Sequence, residues 1–346
     1  LNGRHRTLNR HCFTAWKRGQ MDDEHIVDVL IIGAGISGLI CATELQNSGL
    51  QVVLVDKGRR AGGRLSTRDM QGARVDHGAQ FFTVRDPRFQ NYVDQWINSG
   101  VIREWFRHAD WDTNATGYPR YCGVSGMNSI AKHLARTLNV HQSEEVVKLS
   151  RRGDCWVANS KNDIKYSAKK LIITAPLPQA LVLMETSNLN WACDWLPRLK
   201  QVRYDKGLAA LVLLDQPSLV PAPGALKLSN GPLVWIADNQ MKGISPDATV
   251  LTLHASAKFA TKHWDSSDVV RGQLMLNAAE QFIQGRVLDL RCHRWGYTMP
   301  LNPWPQAYLS MERFDLVLAG DAFGGPRIEG AALSGYEAAG AILQCF

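Results

Sequence analysis

Residues 29–56 read VLIIGAGISGLICATELQNSGLQVVLVD. Four apolar residues, Val29 to Ile32, run into Gly33, Gly35 and Gly38; a helical pattern follows, and a second apolar run stops at Asp56. The order is strand, glycine turn, helix, strand, acid, the unit that opens a parallel dinucleotide-binding sheet. Each glycine has its own task. Gly33 makes the tight turn, Gly35 lets backbone N–H groups approach a pyrophosphate, and Gly38 lets the helix lie close on the strand. The helix N-terminus offers partial positive charge to phosphates. Asp56 stands 23 residues after Gly33, near the spacing of a carboxylate that accepts from ribose hydroxyls. A lone GxGxxG is weak, but in this setting it leads us to expect a bound adenine dinucleotide, with Ala34, Ser37 and Lys57 in the same site.

The chain around this unit is ordinary: 346 residues, 45% hydrophobic and 21% charged, enough for about two domains with a real core. The net charge of +7 is unevenly placed. Arg4, Arg6, Arg10, Lys17 and Arg18 open the chain without an acid, which leaves 34 basic and 32 acidic residues elsewhere. No basic block interleaved with aromatics follows, so nucleic-acid binding is excluded. The seven cysteines are an odd number without a CxxC pair, which predicts reduced thiols in a cytoplasmic protein and no metal site. No apolar run nears the ~18 residues of a membrane span. Residues 1–25 are expected as a disordered basic extension before the fold; a transit-like segment is the other reading.

Beyond Asp56, Arg60-Ala61-Gly62-Gly63-Arg64 permits tight backbone passage and supplies guanidinium donors for phosphate or ribityl oxygens. Asp76-His77-Gly78-Ala79-Gln80-Phe81-Phe82 suits a loop whose backbone touches a flat ring while its aromatic side chains wall a cavity. Helices are expected at 88–99 and after Met127, and strands near 101–107, 145–149, 155–157 and 170–174. Further strands are expected at 208–214, 233–237 and 250–257. A helix over 268–284 is expected to bury Val269, Val270, Leu274, Ala278 and Phe282. Residues 291–300 read as a strand in which His293, Arg294 and Trp295 either face a substrate or close the sheet. Ser125 is no nucleophile elbow, because it lacks the glycine frame and the strand leading in. Near the end, a strand stops at Gly320-Asp321 and a small-residue helix starts at Gly330-Ala331, where its N-terminus would face developing negative charge.

In this order the motifs resemble the flavin amine oxidase superfamily, and residues 76–89, DHGAQFFTVRDPRF, resemble its renalase-like branch. The resemblance implies an α/β fold: a discontinuous Rossmann-like FAD-binding domain (26–87, 122–180 and 306–346) with an inserted α+β mixed-sheet substrate domain (88–121 and 181–305). It implies non-covalent FAD, its pyrophosphate on Gly33, Gly35 and Gly38 and its adenosine ribose on Asp56. Gly63, Arg64, Ala79 and Gln80 would lie along the flavin half, the backbone at Val146 would reach the adenine, and Gly320, Asp321, Gly330 and Ala331 would complete the cradle. Phe81, Phe82, His293 and Trp295 become candidates for the substrate cavity.

The implied reaction is oxidation of the 2- and 6-dihydro isomers of NAD(P)H to NAD(P)+. Hydride passes to flavin N5, and oxygen reoxidises the flavin to give hydrogen peroxide. Losing hydride makes a dihydropyridine aromatic, so no protein acid or base is assigned. No cysteine precedes Gly330 in the C-terminal flavin region, which argues against a covalent flavin. No paired-tyrosine cage is legible; only Tyr297 and Tyr336 offer themselves, which weakens an amine substrate. Another flavin amine oxidase or a desaturase-like enzyme is the alternative, and a non-catalytic dinucleotide-binding module is the second.

Overall fold

The computed structural model describes residues 26–109, 111, 117–187, 189–191 and 194–346. The expected basic extension over 1–25 lies outside the described residues. Strand β1 (Ile26–Ile32), helix α1 (Ile36–Asn47) and strand β2 (Val52–Asp56) form where the glycine spacing predicts. Both strands are apolar runs because both faces are covered: Val29, Leu30, Ile31, Leu54 and Val55 are wholly buried.

A hairpin of β3 (Thr67–Met70) and β4 (Ala73–Asp76) follows, then α2 (Pro87–Asn98), capped by the Asp86 side chain accepting from the Arg88 N–H. Next come β5 (Ile102–Phe106), β6 (Arg120–Gly123), α3 (Asn128–Ala135), β7 (Asn139–Gln142), β8 (Val146–Arg152), β9 (Cys155–Ser160) and β10 (Lys165–Ile173). Helices α4 (Leu177–Thr186) and α5 (Leu196–Leu199) lead to β11 (Gly207–Leu214), β12 (Ala225–Lys227), β13 (Leu233–Asp238) and β14 (Val250–Ala255). The chain continues through α6 (Ala257–Lys262), α7 (Asp268–Ala278) and β15 (Val287–Trp295). It closes with β16 (Leu309–Met311), β17 (Leu316–Leu318), α8 (Asp321–Gly324) and α9 (Ile328–Leu343).

The first sheet runs β16-β17-β10-β1-β2-β7. β17, β10, β1, β2 and β7 are mutually parallel; β16 and the β8–β9 ribbon pair antiparallel. Strand β10 is long enough to offer one edge twice, to β9 at residues 165–168 and to β17 at 171–173. That geometry sets the C-terminal Leu316–Leu318 two strands from β1 and carries Asp321 to the rim beside the glycine turn. The inserted sheet, β12-β13-β14-β11-β15, is antiparallel at every pairing; the mixture of directions falls in the first sheet.

Several boundaries differ from the sequence reading. Helix α2 was expected to open the substrate domain, yet Phe89, Val93 and Trp96 pack in one cluster with α1 and α9. The helix expected over 268–284 ends at Ala278, and a separate 3-10 turn covers Glu280–Phe282. Its buried face is also not the apolar one: Val269, Val270 and Leu274 are exposed, whereas Arg271, Gly272 and Met275 are buried. The reason is what lies beneath. Gly272 sits against the Leu290 side chain, and Arg271 places its guanidinium on the Trp264 carbonyl (2.5 Å) and on Asp268. The strand expected at 291–300 spans Val287–Trp295, and the one expected to reach Asp321 stops at Leu318.

Candidate functional site

The three N-terminal motifs are clamped to one another through backbone. The Gly62 N–H donates to the Ala34 carbonyl (2.7 Å), and the Ala79 N–H donates to the Arg64 carbonyl (2.9 Å). A Cβ on Gly78 would come within 2.1 Å of that same Arg64 oxygen, so the 78–80 loop seats directly on the 62–64 loop. Within the glycine turn the three positions separate cleanly. At Gly38 a Cβ would meet the Gly33 carbonyl oxygen at 2.0 Å, so this glycine serves the close approach of α1 to β1. Gly33 has φ +111 and its Cβ would meet Thr174. Gly35 has nothing within 4 Å of where a Cβ would stand. The space above Gly35 is open, as a pyrophosphate cradle requires. The Ser37 hydroxyl in the first turn of α1 and the Gln80 Oε1 are buried without a partner.

Both candidate carboxylates already hold protein donors. Asp56 accepts from the Ala34 N–H and the Gly58 N–H, each at 2.6 Å; burial pushes its pKa above the ordinary carboxylate value, partly offset by these two bonds. Two residues before Val146, the Glu144 N–H donates to the Asp56 carbonyl (3.0 Å), so the start of β8 runs beside the ribose end of the motif. Lys57 is exposed at the same corner.

Asp321 receives Arg64 in a two-point pair, 2.5 and 2.8 Å, and the Tyr204 hydroxyl at 3.2 Å. Arg64 also donates to the Thr298 carbonyl (3.2 Å). Burial opposes the guanidinium charge, but Asp321 outweighs it and holds Arg64 above its ordinary pKa. Arg64 was expected to donate toward phosphate or ribityl oxygens; in the structure its guanidinium also holds Asp321. Tyr204, which the sequence reading missed, meets Tyr297 edge to face (5.6 Å, 81°). Tyr336 lies elsewhere, under Arg88.

The C-terminal helix differs from expectation in a way that changes residue roles. It starts at Ile328 with Arg327 as N-cap, two residues before Gly330. A Cβ on Gly330 would meet the Gly324 carbonyl oxygen at 2.3 Å, so Gly330 serves the packing of α9 on α8. Ala331 is buried beside it. The carboxylate in that first turn, Glu329, is spent on the Arg85 and Asp86 N–H groups (2.6 and 2.8 Å). Gly320, at φ +124, makes the turn that presents Asp321.

Of the four cavity candidates, His293 and Trp295 come together, and Phe81 and Phe82 go elsewhere. Phe82 is buried among Phe89, Trp96 and Tyr121. Phe81 faces the five-stranded sheet, 5.4 Å from Trp235 of β13. Strand alternation puts His293 and Trp295 on one face of β15, toward the 76–82 loop, and Arg294 on the other, near Trp264. His77 stacks on Trp295 (5.4 Å) and meets His293 edge-on (4.9 Å). The Trp295 indole N–H donates to the His77 carbonyl (2.9 Å). Thus β15 both closes the sheet and lines the loop. Burial, with Arg68 3.1 Å from the His293 Nδ1, pushes His77 down to about 3 and His293 to about 4. Burial likewise pushes His254 down to about 4. All three imidazoles are neutral at pH 7.

Asp76, at the end of β4, ties the N-terminal motifs to the segment between β13 and β14. Its Oδ2 accepts from the Lys242 ammonium (2.7 Å), its Oδ1 from Thr67 Oγ1 (2.5 Å) and the Met127 N–H (2.9 Å). Both side chains of the ion pair are fully buried. Lys242 was not singled out in the sequence, where it is one lysine between two loops.

The sequence profile of NAD(P)-binding Rossmann-like domains matches residues 31–96. That of flavin-containing amine oxidoreductases matches residues 97–343, most of the chain. The chain belongs to the flavin-containing amine oxidoreductase family. Mouse renalase is 24% identical over 319 residues, covering 85% of this chain and 92% of that protein. The (S)-6-hydroxynicotine oxidase of Paenarthrobacter nicotinovorans is 35% identical over 88 residues, 23% of this chain and 21% of its own. In overall fold, wild-type putrescine oxidase solved with putrescine superposes with a TM-score of 0.68 at 15% identity, over 92% of this chain and 99% of that one. The protein is therefore a flavin-dependent oxidoreductase with a Rossmann-like domain and an amine-oxidase fold. Among the described residues no helix is long and apolar enough to cross a membrane.

Proposed function

We propose that this protein binds FAD non-covalently and oxidises the 2- and 6-dihydro isomers of NAD(P)H to NAD(P)+, with oxygen as acceptor. When bound, FAD would supply the hydride acceptor at N5 and, on reoxidation, hydrogen peroxide. The chain's part is to hold and shield. The open space over Gly35 and the unpartnered Ser37 hydroxyl suit the pyrophosphate; Asp56 and the start of β8 suit the adenosine end. Ala79, Gln80 and the Arg64–Asp321 pair suit the flavin end. No cysteine lies between Cys292 and Cys345, so the C-terminal cradle offers no thiol for a covalent link.

The observation that carries the choice of substrate is the His77–His293–Trp295 cluster. It is aromatic and neutral, with the Arg68 cation against it. Among the described residues no carboxylate hydrogen-bonds to any of its imidazoles. An ammonium substrate would find no hydrogen-bonded carboxylate there, only neutral imidazoles that burial makes weak bases. A dihydropyridine needs neither counter-charge nor base, since hydride loss alone gives the aromatic ring. The Tyr204–Tyr297 pair argues the same way: edge-to-face rings do not offer two faces to one amine. The likeness to mouse renalase over most of both chains supports this reading. The free cysteines, with Cys41 and Cys122 buried, suit a reducing, cytoplasmic setting.

The test is anaerobic mixing of the flavin-loaded protein with each dihydro isomer while the visible flavin absorption is followed. Fast bleaching by an isomer, but not by ordinary NADH or simple amines, is the expected result. Bleaching by amines alone would replace this reading with an amine oxidase.

A further inference from the structure

We propose that a cleft on the outer side of the Arg60–Arg64 loop is a second anion site, built for a phosphorylated small molecule of about nucleotide size. The cleft is open to solvent and spans about 830 Å³ between the β3–β4 hairpin, the turn before β5 and helix α3, within the range of small-molecule sites. Five cations line it, Arg60, Arg68, Arg74, Lys132 and Arg136, against one carboxylate, Asp69. Asp69 stands opposite Arg74 in the hairpin, and its Oδ1 accepts from the Gly72 N–H (3.1 Å). Among the described residues Arg60, Arg74, Lys132 and Arg136 have neither an ion pair nor a side-chain hydrogen bond. The remaining cation, Arg68, stays charged, although burial and neighbouring Arg291 and Arg59 lower its pKa. Like charges gathered in a concave wall repel one another and focus a positive field into the space they enclose; a bound anion relieves that repulsion.

A second feature lies in the same wall. Asn128, at the start of α3, is 5% exposed, lines the cleft and leaves its Oδ1 without a partner. A side-chain amide in that position offers either its donor or its acceptor end to a ligand. The apolar Val101 and exposed Val124 in the same wall give a nucleoside or similar body a surface to rest on. Excess charge in a concave space, beside a nearly balanced charge over the rest of the body, favours a small ligand over a nucleic-acid strand.

The cleft is separate from the flavin cradle. Gly63 faces the Gly35 Cα on one side of the loop, 3.8 Å from where a Cβ would stand. Gly62 faces Ala131 of α3 on the other. The proposal therefore does not depend on which donor reduces the flavin. One side chain links the two regions: Arg68 lines the cleft and reaches His293 (3.1 Å).

The experiment is calorimetric titration of the FAD-saturated protein with inorganic pyrophosphate and with ADP, at low salt. It compares wild type, the cleft variant Arg74→Glu/Lys132→Glu/Arg136→Glu and a charge-matched variant, Lys161→Glu/Lys165→Glu/Lys227→Glu. Saturable one-to-one binding to wild type is expected, weakened roughly tenfold or more in the cleft variant and by less than about twofold in the charge-matched one. Tighter binding of ADP identifies a nucleotide as the source; equal binding of pyrophosphate identifies the phosphates alone. If the triple reversal fails to fold, Arg74→Gln/Lys132→Gln carries the same test with a smaller loss. Absence of saturable binding, equal binding by the cleft variant, or binding only when FAD is removed overturns the site. A single-stranded oligonucleotide that binds where neither small anion does overturns it in favour of a nucleic-acid surface.

Discussion

Asp76 with Lys242 and Arg64 with Asp321 each join the N-terminal unit to a distant part of the chain, 166 and 257 residues away. They are otherwise unlike. The first pair is sealed, both side chains at 0% exposure, and the carboxylate has its lone pairs filled by Thr67 and the Met127 N–H as well as by Lys242. The second is open on one side: the Arg64 side chain is 31% exposed and Asp321 7%, at the rim beside the glycine turn. A sealed pair cannot be exchanged for a ligand without opening the fold. A rim pair can trade partners, because part of its guanidinium is open to solvent. The comparison separates a structural lock from a displaceable latch, although both read as salt bridges.

The largest effect should come from breaking the lock. Lys242→Met should cost about 3–5 kcal/mol, because it leaves a buried carboxylate charge uncompensated. Urea unfolding measures it, and a loss under about 1 kcal/mol would show that water reaches Asp76. The double variant Asp76→Asn/Lys242→Met should recover part of the loss, since it removes the stranded charge.

The glycine turn gives a second, smaller contrast of the same kind. Gly38→Ala should destabilise by roughly 1–3 kcal/mol, because its methyl meets backbone that cannot retreat. Gly35→Ala should leave the unfolding midpoint nearly unchanged but lower the flavin retained through gel filtration. Equal losses of stability in the two variants would sink the assignment of Gly35 to the cofactor.

Opening the latch should matter for flavin more than for fold. Arg64→Ala should reduce retained flavin while changing stability by only about 1 kcal/mol, the scale of a partly solvated pair. Unchanged flavin content would leave the Arg64–Asp321 pair a second lock.

The smallest effect is the pH dependence written by the histidine cluster. His77, His254 and His293 have folded values of about 3, 4 and 4, below the unfolded value of about 6.5. The unfolded chain therefore binds protons first as pH falls. Their contribution to stability is complete above pH ~6.5 and is lost on acidification toward about 4 and then 3. His293→Phe should flatten the slope of unfolding free energy against pH between ~6.5 and ~4. A slope identical to wild type would mean that His293 titrates alike in both states.

The readable parts of the molecule were those in which neighbours in sequence are also partners in space. The glycine triplet, Asp56 and the apolar runs of β1 and β2 act within one βαβ unit, so their spacing is their geometry. Helix α7 shows the opposite: its apolar stripe of Val269, Val270 and Leu274 faces out, because β15 offers Leu290 beneath Gly272 and the Trp264 carbonyl before the helix takes Arg271. The periodicity was real, but the surface it meets is set by another element. Phe81 and Phe82 look alike in sequence, and strand-like alternation sends one to Trp235 of the five-stranded sheet and the other into the α1–α2 core.

By itself the sequence determined the α/β class, the dinucleotide unit and the order of the flavin motifs, because each rests on local spacing that backbone geometry translates directly. Only the tertiary structure decided that Arg64 holds Asp321, that Lys242 serves Asp76, that Gly330 packs a helix and that five cations share one cleft. Those pairings depend on which strands β10 brings together, and a charged residue carries no mark in sequence of the partner that will desolvate it.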